Sequence, residues 1–204
     1  MVVPTPDPQR IRTDVTRLRT PDSLCIDASS MIICNKAGIL DALGACCRLF
    51  TVEAVLAETG YADVPVLLLP PPDIAVPDTH TPHTLTAGAE GVARALSRAD
   101  RLLLDGAIAA GLPLVSDDRA LLSTAASAGL THFNALMMLN LLLAHGAVRP
   151  GNAEGRGDPG NPGDAADALE TRRLLLKAGR YHPDVVAYAD AVRLAISSGA
   201  TAAR

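Results

Sequence analysis

The sequence predicts an α/β fold with a parallel sheet, because short apolar segments of strand length alternate with stretches of helical periodicity. Hydrophobic residues make up 49% of the 204 residues and the mean hydropathy is +0.23, so the chain can bury a sizeable core. Charged residues make up 20% and the formal net charge is -4. This composition excludes a disordered polyelectrolyte and a protein that holds nucleic acid through a high overall positive charge.

Strand-like and helix-like segments follow one another in the first half of the chain. Each strand-like segment is short and apolar, and each helical segment repeats apolar residues every three or four positions. The predicted elements are a strand at 24–27, a helix at 31–43, a strand at 49–52, a helix at 53–59 and a strand at 64–69. Five prolines between residues 70 and 82 then predict an irregular connection.

The same alternation continues in the second half. The predicted elements are helices at 87–97 and 101–110, a strand at 113–116, and helices at 118–128 and 135–145. Residues 150–167 contain five glycines and three prolines, which is typical of a flexible linker. Two amphipathic helices with several basic side chains are predicted beyond this linker, at 168–177 and 185–197.

Residues 1–23 are polar and contain no apolar segment of the secretory type, which predicts a cytoplasmic protein. The uncharged stretch at 120–148 is interrupted by polar residues, so no membrane span is expected. The cysteines have no zinc-ligand spacing and are expected to be small buried apolar residues. They are Cys25, Cys34, Cys46 and Cys47.

Four carboxylates stand where a metal site can form. Asp27 ends the first predicted strand and Asp118 follows a later one, and the carboxyl ends of parallel strands line the crevice that binds ligands. Glu58 and Asp105 lie on predicted helices that can face the same crevice. Mg²⁺ and Mn²⁺ prefer such oxygen ligands, and an ion held in this way activates water for attack on a phosphodiester.

Each of these acids also has a purely structural interpretation. Asp27, together with Ser29 and Ser30, can cap the helix that follows the first strand, and the aspartates after the later strand can do the same. Glu58 can be an ordinary solvated helix residue. Asp105 lies among leucines and is harder to explain in this way, since a charge in an apolar setting needs a partner.

Several segments, taken in order, resemble those of PIN-domain proteins. They are 25–32 (CIDASSMI), 37–40 (AGIL), 49–50 (LF), 52–58 (VEAVLAE), 104–110 (LDGAIAA), 114–118 (LVSDD) and 131–136 (THFNAL). PIN domains open with a strand-ending Asp followed by Ser or Thr, then a helix, a short strand and a helix with Glu. A third acid lies on a later helix, and a further strand ends in Thr/Ser-x-Asp. The resemblance covers residues 23–149.

The resemblance implies a three-layer α/β/α fold with a central, mostly parallel sheet, here followed by a C-terminal helical extension. It also implies a metal-dependent endoribonuclease that hydrolyses RNA phosphodiesters. Carried over to this chain, Asp27, Glu58, Asp105 and Asp118 would be the catalytic residues. They would hold one or two Mg²⁺ or Mn²⁺ ions.

Four further residues would support this site. The hydroxyls of Ser29 and Ser116 would hydrogen-bond its groups directly or through water. Asp117 would replace Asp118 if the strand ends one residue from the expected position, and Glu90 stands where some branches of the family carry another acid. No Gly-x-Gly-x-x-Gly fingerprint and no Walker loop is present, so no nucleotide cofactor is expected.

Under this interpretation the chain has four parts: an N-terminal polar segment at 1–22, a PIN-like nuclease domain at 23–149, a linker at 150–167 and a helical extension at 168–204. The expected partner is single-stranded or structured RNA, held by arginines or by the basic C-terminal helices. The candidate arginines are Arg94, Arg98, Arg101 and Arg119. Many compact family members are toxins, so an antitoxin-like inhibitor is a second expected partner, and a homodimer is a third expectation.

Two alternatives belong to other functional classes. The first is a non-catalytic PIN-fold module that binds RNA or protein and whose acids serve only as caps. Such a module should show no specific stabilisation by Mn²⁺. The second is a phosphatase of the haloacid dehalogenase type, which also begins with a strand-ending Asp. That family needs a second Asp two positions on, where this chain has Ser29.

Overall fold

The computed structural model describes residues 6–61, 64–69, 96–148 and 168–198. Its nine helices within these residues are α1 (Pro8–Arg19), α2 (Ala28–Lys36), α3 (Leu40–Cys46), α4 (Glu53–Thr59), α5 (Arg98–Ala110), α6 (Arg119–Ser127), α7 (Ala135–Ala144), α8 (Ala168–Ala178) and α9 (Pro183–Ser197). The five strands are β1 (Ser23–Ile26), β2 (Arg48–Thr51), β3 (Val66–Leu68), β4 (Leu114–Val115) and β5 (His132–Phe133). The proline-rich connection, most of the predicted helix at 87–97 with Glu90 and Arg94, and the predicted linker lie outside the described residues.

The five strands form one all-parallel sheet in the order β3-β2-β1-β4-β5. Strand β1 lies in the middle and is buried at all four positions, as expected for an apolar strand with covered faces. The sheet and the helices between its strands confirm the predicted α/β class with a central parallel sheet and are consistent with a three-layer α/β/α arrangement. Helices α8 and α9 form the predicted C-terminal helical part.

The chain divides into two compact units. The sheet unit comprises Asp22–Ile32 and Cys47–Ala135, and the helical unit comprises Met1–Pro21, Ile33–Cys46 and Leu136–Arg204. The sheet unit contains all five strands and helices α4 to α6. The helical unit contains α1, α3, α8 and α9 and nearly all of α7.

In the sheet unit, local sequence signals set the start and the packing of α5. Ser97 and Asp100 form a reciprocal capping box, in which each side chain accepts a hydrogen bond from the other residue's backbone N–H. Gly106 lets this helix approach the end of β3, because a Cβ at that position would lie 2.9 Å from Leu69 Cδ1. The close approach fixes the helix that carries Asp105 beside the edge strand.

In the helical unit, α1 contacts α9 through polar side chains, and α1 also buries apolar residues. Val15 and Leu18 of α1 are fully buried. The Tyr188 hydroxyl of α9 donates a 2.7 Å hydrogen bond to Asp14, and the Arg10 guanidinium lies 4.8 Å from the centroid of the Tyr188 ring. Helix α1 therefore belongs to a folded unit, although the sequence analysis assigned no element to residues 1–22.

The single helix predicted at 31–43 is wrong. The chain forms α2 and α3 instead, separated by Gly38, whose φ is 72°. The Ile39 N–H returns to the Cys34 carbonyl at 3.0 Å and satisfies a carbonyl at the end of α2. Apolar spacing alone cannot show this break, because the residues on both sides of Gly38 keep the helical period.

The cysteines are free thiols, and three of the four are buried. Burial raises the pKa of the Cys25 thiol to about 12, so this side chain stays protonated and acts as an apolar residue. Among the described helices, none combines the length and the apolar character needed to cross a bilayer.

Candidate functional site

Strands β1 and β4 are neighbours and end at the same edge of the sheet. Their pairing continues one residue beyond the strands, since the Asp27 N–H donates to the Val115 carbonyl at 3.0 Å. The Ser116 N–H in turn donates to the Phe133 carbonyl of β5 at 3.0 Å. The backbone ladder thus fixes Asp27 and Ser116 beside each other at the carboxyl edge, where open α/β sheets bind their ligands.

Asp27 is a buried carboxylate, with only 3% of its surface exposed. Its Oδ1 accepts a hydrogen bond of 2.7 Å from the Ser30 N–H. Its Oδ2 accepts hydrogen bonds from the hydroxyls of Ser29 at 2.8 Å and Ser116 at 2.6 Å. Burial raises the pKa of this carboxyl above its ordinary value, and the hydrogen bonds from the serines oppose part of the rise.

No Lys, Arg or His among the described residues forms an ion pair with Asp27. A buried carboxylate in such a setting is stable when it keeps a proton or when a cation lies next to it. Asp27 is therefore a buried acid at the carboxyl edge of the sheet, the edge at which open α/β sheets commonly bind ligands.

The two aspartates that follow β4 have different roles. Asp118 is exposed and is the N-cap of α6, because its Oδ1 accepts the Leu121 N–H at 2.8 Å. Its own N–H donates to the Ser116 hydroxyl at 3.0 Å. Asp117 is half-buried, and its Oδ2 accepts hydrogen bonds from the Ser30 hydroxyl at 2.7 Å and from the Ala135 N–H at 3.2 Å.

The other two predicted metal ligands lie on helices. Glu58 is exposed on α4 and Asp105 is exposed on α5. Within the described part of the chain, no group of three or more His, Cys, Asp or Glu side chains is arranged to hold a metal ion. The predicted four-carboxylate site is therefore not assembled by the side chains described, and it stays a prediction.

The serines link these acids. The sequence predicted that the hydroxyls of Ser29 and Ser116 support the site, and both hydroxyls donate hydrogen bonds to the Asp27 carboxylate. Ser30 was considered only as a helix cap. The position of Ser30 in the first turn of α2 is readable from the sequence, but its contact with Asp117 spans 87 residues and leaves no local signal.

Three of the candidate RNA-binding arginines lie in the first turns of helices in the sheet unit. Arg98 and Arg101 lie on α5 and Arg119 on α6, and all three are exposed. None of the three forms an ion pair with a described carboxylate. Their charge is therefore available to a phosphate.

No family model, curated protein or solved structure matches this chain. The likeness to PIN-domain proteins rests on the order of the motifs in the sequence.

Proposed function

We propose that this protein is a metal-dependent endoribonuclease whose site is centred on Asp27. The observation that carries the proposal is the buried Asp27 carboxylate at the carboxyl edge of a parallel sheet, with no described cation beside it. The PIN-like order of motifs around this residue adds the expected reaction, hydrolysis of RNA phosphodiesters.

A bound Mg²⁺ or Mn²⁺ ion would lower the pKa of a water molecule bound to it. Its positive charge would also stabilise the negative charge of the phosphate. The described side chains offer such an ion one buried carboxylate, and they do not form a complete ligand set. The Ser29 and Ser116 hydroxyls hold the Asp27 carboxylate in one orientation, and the backbone ladder fixes its position.

The distribution of charge supports RNA as the substrate. Residues 7–20 and 168–198, which form α1, α8 and α9, contain nine basic and five acidic side chains, although the whole chain has a net charge of -4. A polyanion needs such local positive charge, because neutralised phosphates release counterions and this release favours binding. The toxin-like role, the antitoxin and the homodimer stay predictions.

Cleavage of a mixed single-stranded RNA with Mn²⁺, with Mg²⁺ and with EDTA tests the proposal. Wild-type protein should cleave with either ion and not with EDTA, and Asp27→Asn should lose cleavage while it keeps its fold. Glu53→Gln removes an exposed carboxylate from α4 and should cleave as the wild type does. Cleavage that survives both EDTA and Asp27→Asn would contradict the proposal.

A non-catalytic module is the second candidate, and the incomplete metal group among the described side chains favours it. Stability distinguishes the two candidates without RNA. A nuclease of the proposed type should gain several degrees in Tm from millimolar Mn²⁺, and the gain should disappear in Asp27→Asn. A pure interaction module should show no such gain in either protein.

A further inference from the structure

We infer that Ser30 is the positioning residue of the site and that it joins Asp27 to Asp117, so that Asp117 rather than Asp118 is the second carboxylate. The inference rests on the proposed function. It departs from the expectation that the last position of the Ser-x-Asp motif carries the acid of the site.

The geometry around Ser30 connects two strand ends through one residue. Ser30 is fully buried. Its N–H donates to Asp27 Oδ1 at 2.7 Å, and its hydroxyl donates to Asp117 Oδ2 at 2.7 Å. Asp27 follows β1 and Asp117 follows β4, so Ser30 sets the relative position of carboxylates from neighbouring strands.

Helix formation explains only one of these two hydrogen bonds. Ser30 lies in the first turn of α2, where a backbone N–H has no partner within the helix, and Asp27 satisfies it as a cap does. An alanine at this position would keep that bond. A serine hydroxyl in a helix usually donates to a carbonyl one turn earlier, but this hydroxyl reaches a side chain 87 residues away.

The carboxylates of Asp117 and Asp118 differ in the groups that they contact. The Asp118 carboxylate caps its own helix α6 and is exposed, which gives it a local structural role. Asp117 is half-buried and receives hydrogen bonds from two other elements, the Ser30 hydroxyl on α2 and the Ala135 N–H at the start of α7. Asp118 is linked to Asp27 only by its backbone N–H, through the Ser116 hydroxyl, whereas the Asp117 carboxylate itself is linked to that of Asp27 through Ser30.

The consequence is a pair of carboxylates held together before any ligand binds. Like charges at short range repel, so hydrogen-bond donors or a cation must compensate for the pair. Ser30 supplies one donor to each carboxylate. If the Ser30 hydroxyl is removed, Asp117 keeps its hydrogen bond from the Ala135 N–H but loses its link to Asp27 through Ser30. The two carboxylates would then no longer be held in one fixed geometry.

Steady-state cleavage of RNA with Mn²⁺ by four variants tests this inference. Ser30→Ala should lower kcat about ten- to a hundredfold with little change in KM, since it misplaces a group without removing an RNA contact. Ser30→Thr, which keeps the hydroxyl, should recover most of kcat. Asp117→Asn should resemble Asp27→Asn. Asp118→Asn should keep kcat near the wild-type value and change Tm little, because asparagine caps a helix about as well as aspartate does.

Thermal unfolding with and without Mn²⁺ gives a readout that needs no cleavage. The Tm gain from Mn²⁺ should shrink in Ser30→Ala and in Asp117→Asn and persist in Asp118→Asn. If Ser30→Thr disturbs the buried site, Asp117→Asn and Asp118→Asn still decide the assignment between them.

The outcomes separate the inference from the function on which it rests. Wild-type cleavage with unchanged kcat in Ser30→Ala, or loss of cleavage in Asp118→Asn with activity retained in Asp117→Asn, would overturn the inference alone. A wild-type protein that neither cleaves RNA nor responds to Mn²⁺ would overturn the proposed function and the inference with it.

Discussion

The sheet unit and the helical unit carry opposite charge. The sheet unit contains five basic and 12 acidic residues, a formal charge of -7, whereas the helical unit contains 13 basic and 10 acidic residues, a formal charge of +3. Together they give the -4 of the whole chain. The total charge therefore hides two units of opposite charge, and we propose that phosphate is disfavoured near the unit that bears the candidate site and favoured near the other.

The two units also use their polar groups differently. In the sheet unit a buried acid, Asp27, is held by neutral donors and has no described cationic partner. In the helical unit three described acids on helices, Asp14, Glu170 and Asp190, pair with arginines, as Asp190 does with Arg172 at 2.7 Å and 2.5 Å. The first arrangement costs stability once the acid ionises, and the second adds a little stability.

The largest expected effect concerns the buried acid and pH. Because the pKa of Asp27 is raised above its unfolded value of 3.8, the folded protein binds the proton more tightly. The stability from this group is complete below about pH 4 and is lost as the pH rises through the folded pKa. In EDTA, the Tm of the wild type should therefore fall relative to that of Asp27→Asn from pH 4 towards neutrality.

Thermal melts of both proteins between pH 4 and pH 8 measure this difference. Glu53→Gln is the matched control, since it removes an exposed carboxylate of the same unit, and its profile should run parallel to that of the wild type. Parallel profiles for wild type and Asp27→Asn would mean that burial does not perturb Asp27, and the contrast between a buried acid in one unit and paired acids in the other would disappear.

The next effect concerns the positive charge of the helical unit. Arg12 and Arg19 are exposed, lie seven residues apart on one side of α1 and form no ion pair with a described carboxylate. Reversing both charges should weaken the binding of single-stranded RNA about tenfold at low salt. It should also reduce the slope of log affinity against log salt by about 1 to 2.

Fluorescence anisotropy in EDTA, where cleavage is not expected, measures this binding between 50 and 200 mM salt, a range over which phosphate contacts change affinity strongly (about 10³–10⁵ for 6–10 contacts). The comparison variant reverses Arg98 and Arg101 on α5 of the sheet unit, with the same change in charge. A larger loss of RNA affinity in this variant than in the α1 variant would place the main RNA contact on the sheet unit. It would contradict the proposal that the helical unit is the one that favours phosphate.

The smallest effect concerns ion pairs within the helical unit. Arg172 contacts Asp190 through two hydrogen bonds, and their side chains are 26% and 30% exposed. After allowance for solvent screening, Arg172→Ala should cost about 1 kcal/mol in the free energy of unfolding. Urea denaturation measures it. Arg173→Ala is the control on the same helix, because Arg173 and its partner Glu170 are exposed, and it should cause no measurable loss.

Local signals in the sequence were sufficient for much of the fold. The apolar run before Asp27 predicted β1 and placed the acid at its carboxyl end, and the pattern before Asp117 did the same for β4. Capping groups such as Asp118 were also recognisable, because a cap acts within one turn of its own helix. Breaks such as that at Gly38 were missed, since the apolar period continues across them.

The candidate site was predictable only in part, for a physical reason. The sequence by itself determined where Asp27 and Ser116 stand, because strand ends follow from local periodicity. Only the tertiary structure decided that Asp27 is buried without a described cation, that Ser30 reaches Asp117 across 87 residues, and that Glu58 and Asp105 stay exposed. Burial and long-range hydrogen bonds depend on how strands and helices pack, and no local pattern encodes which distant side chain completes such a contact.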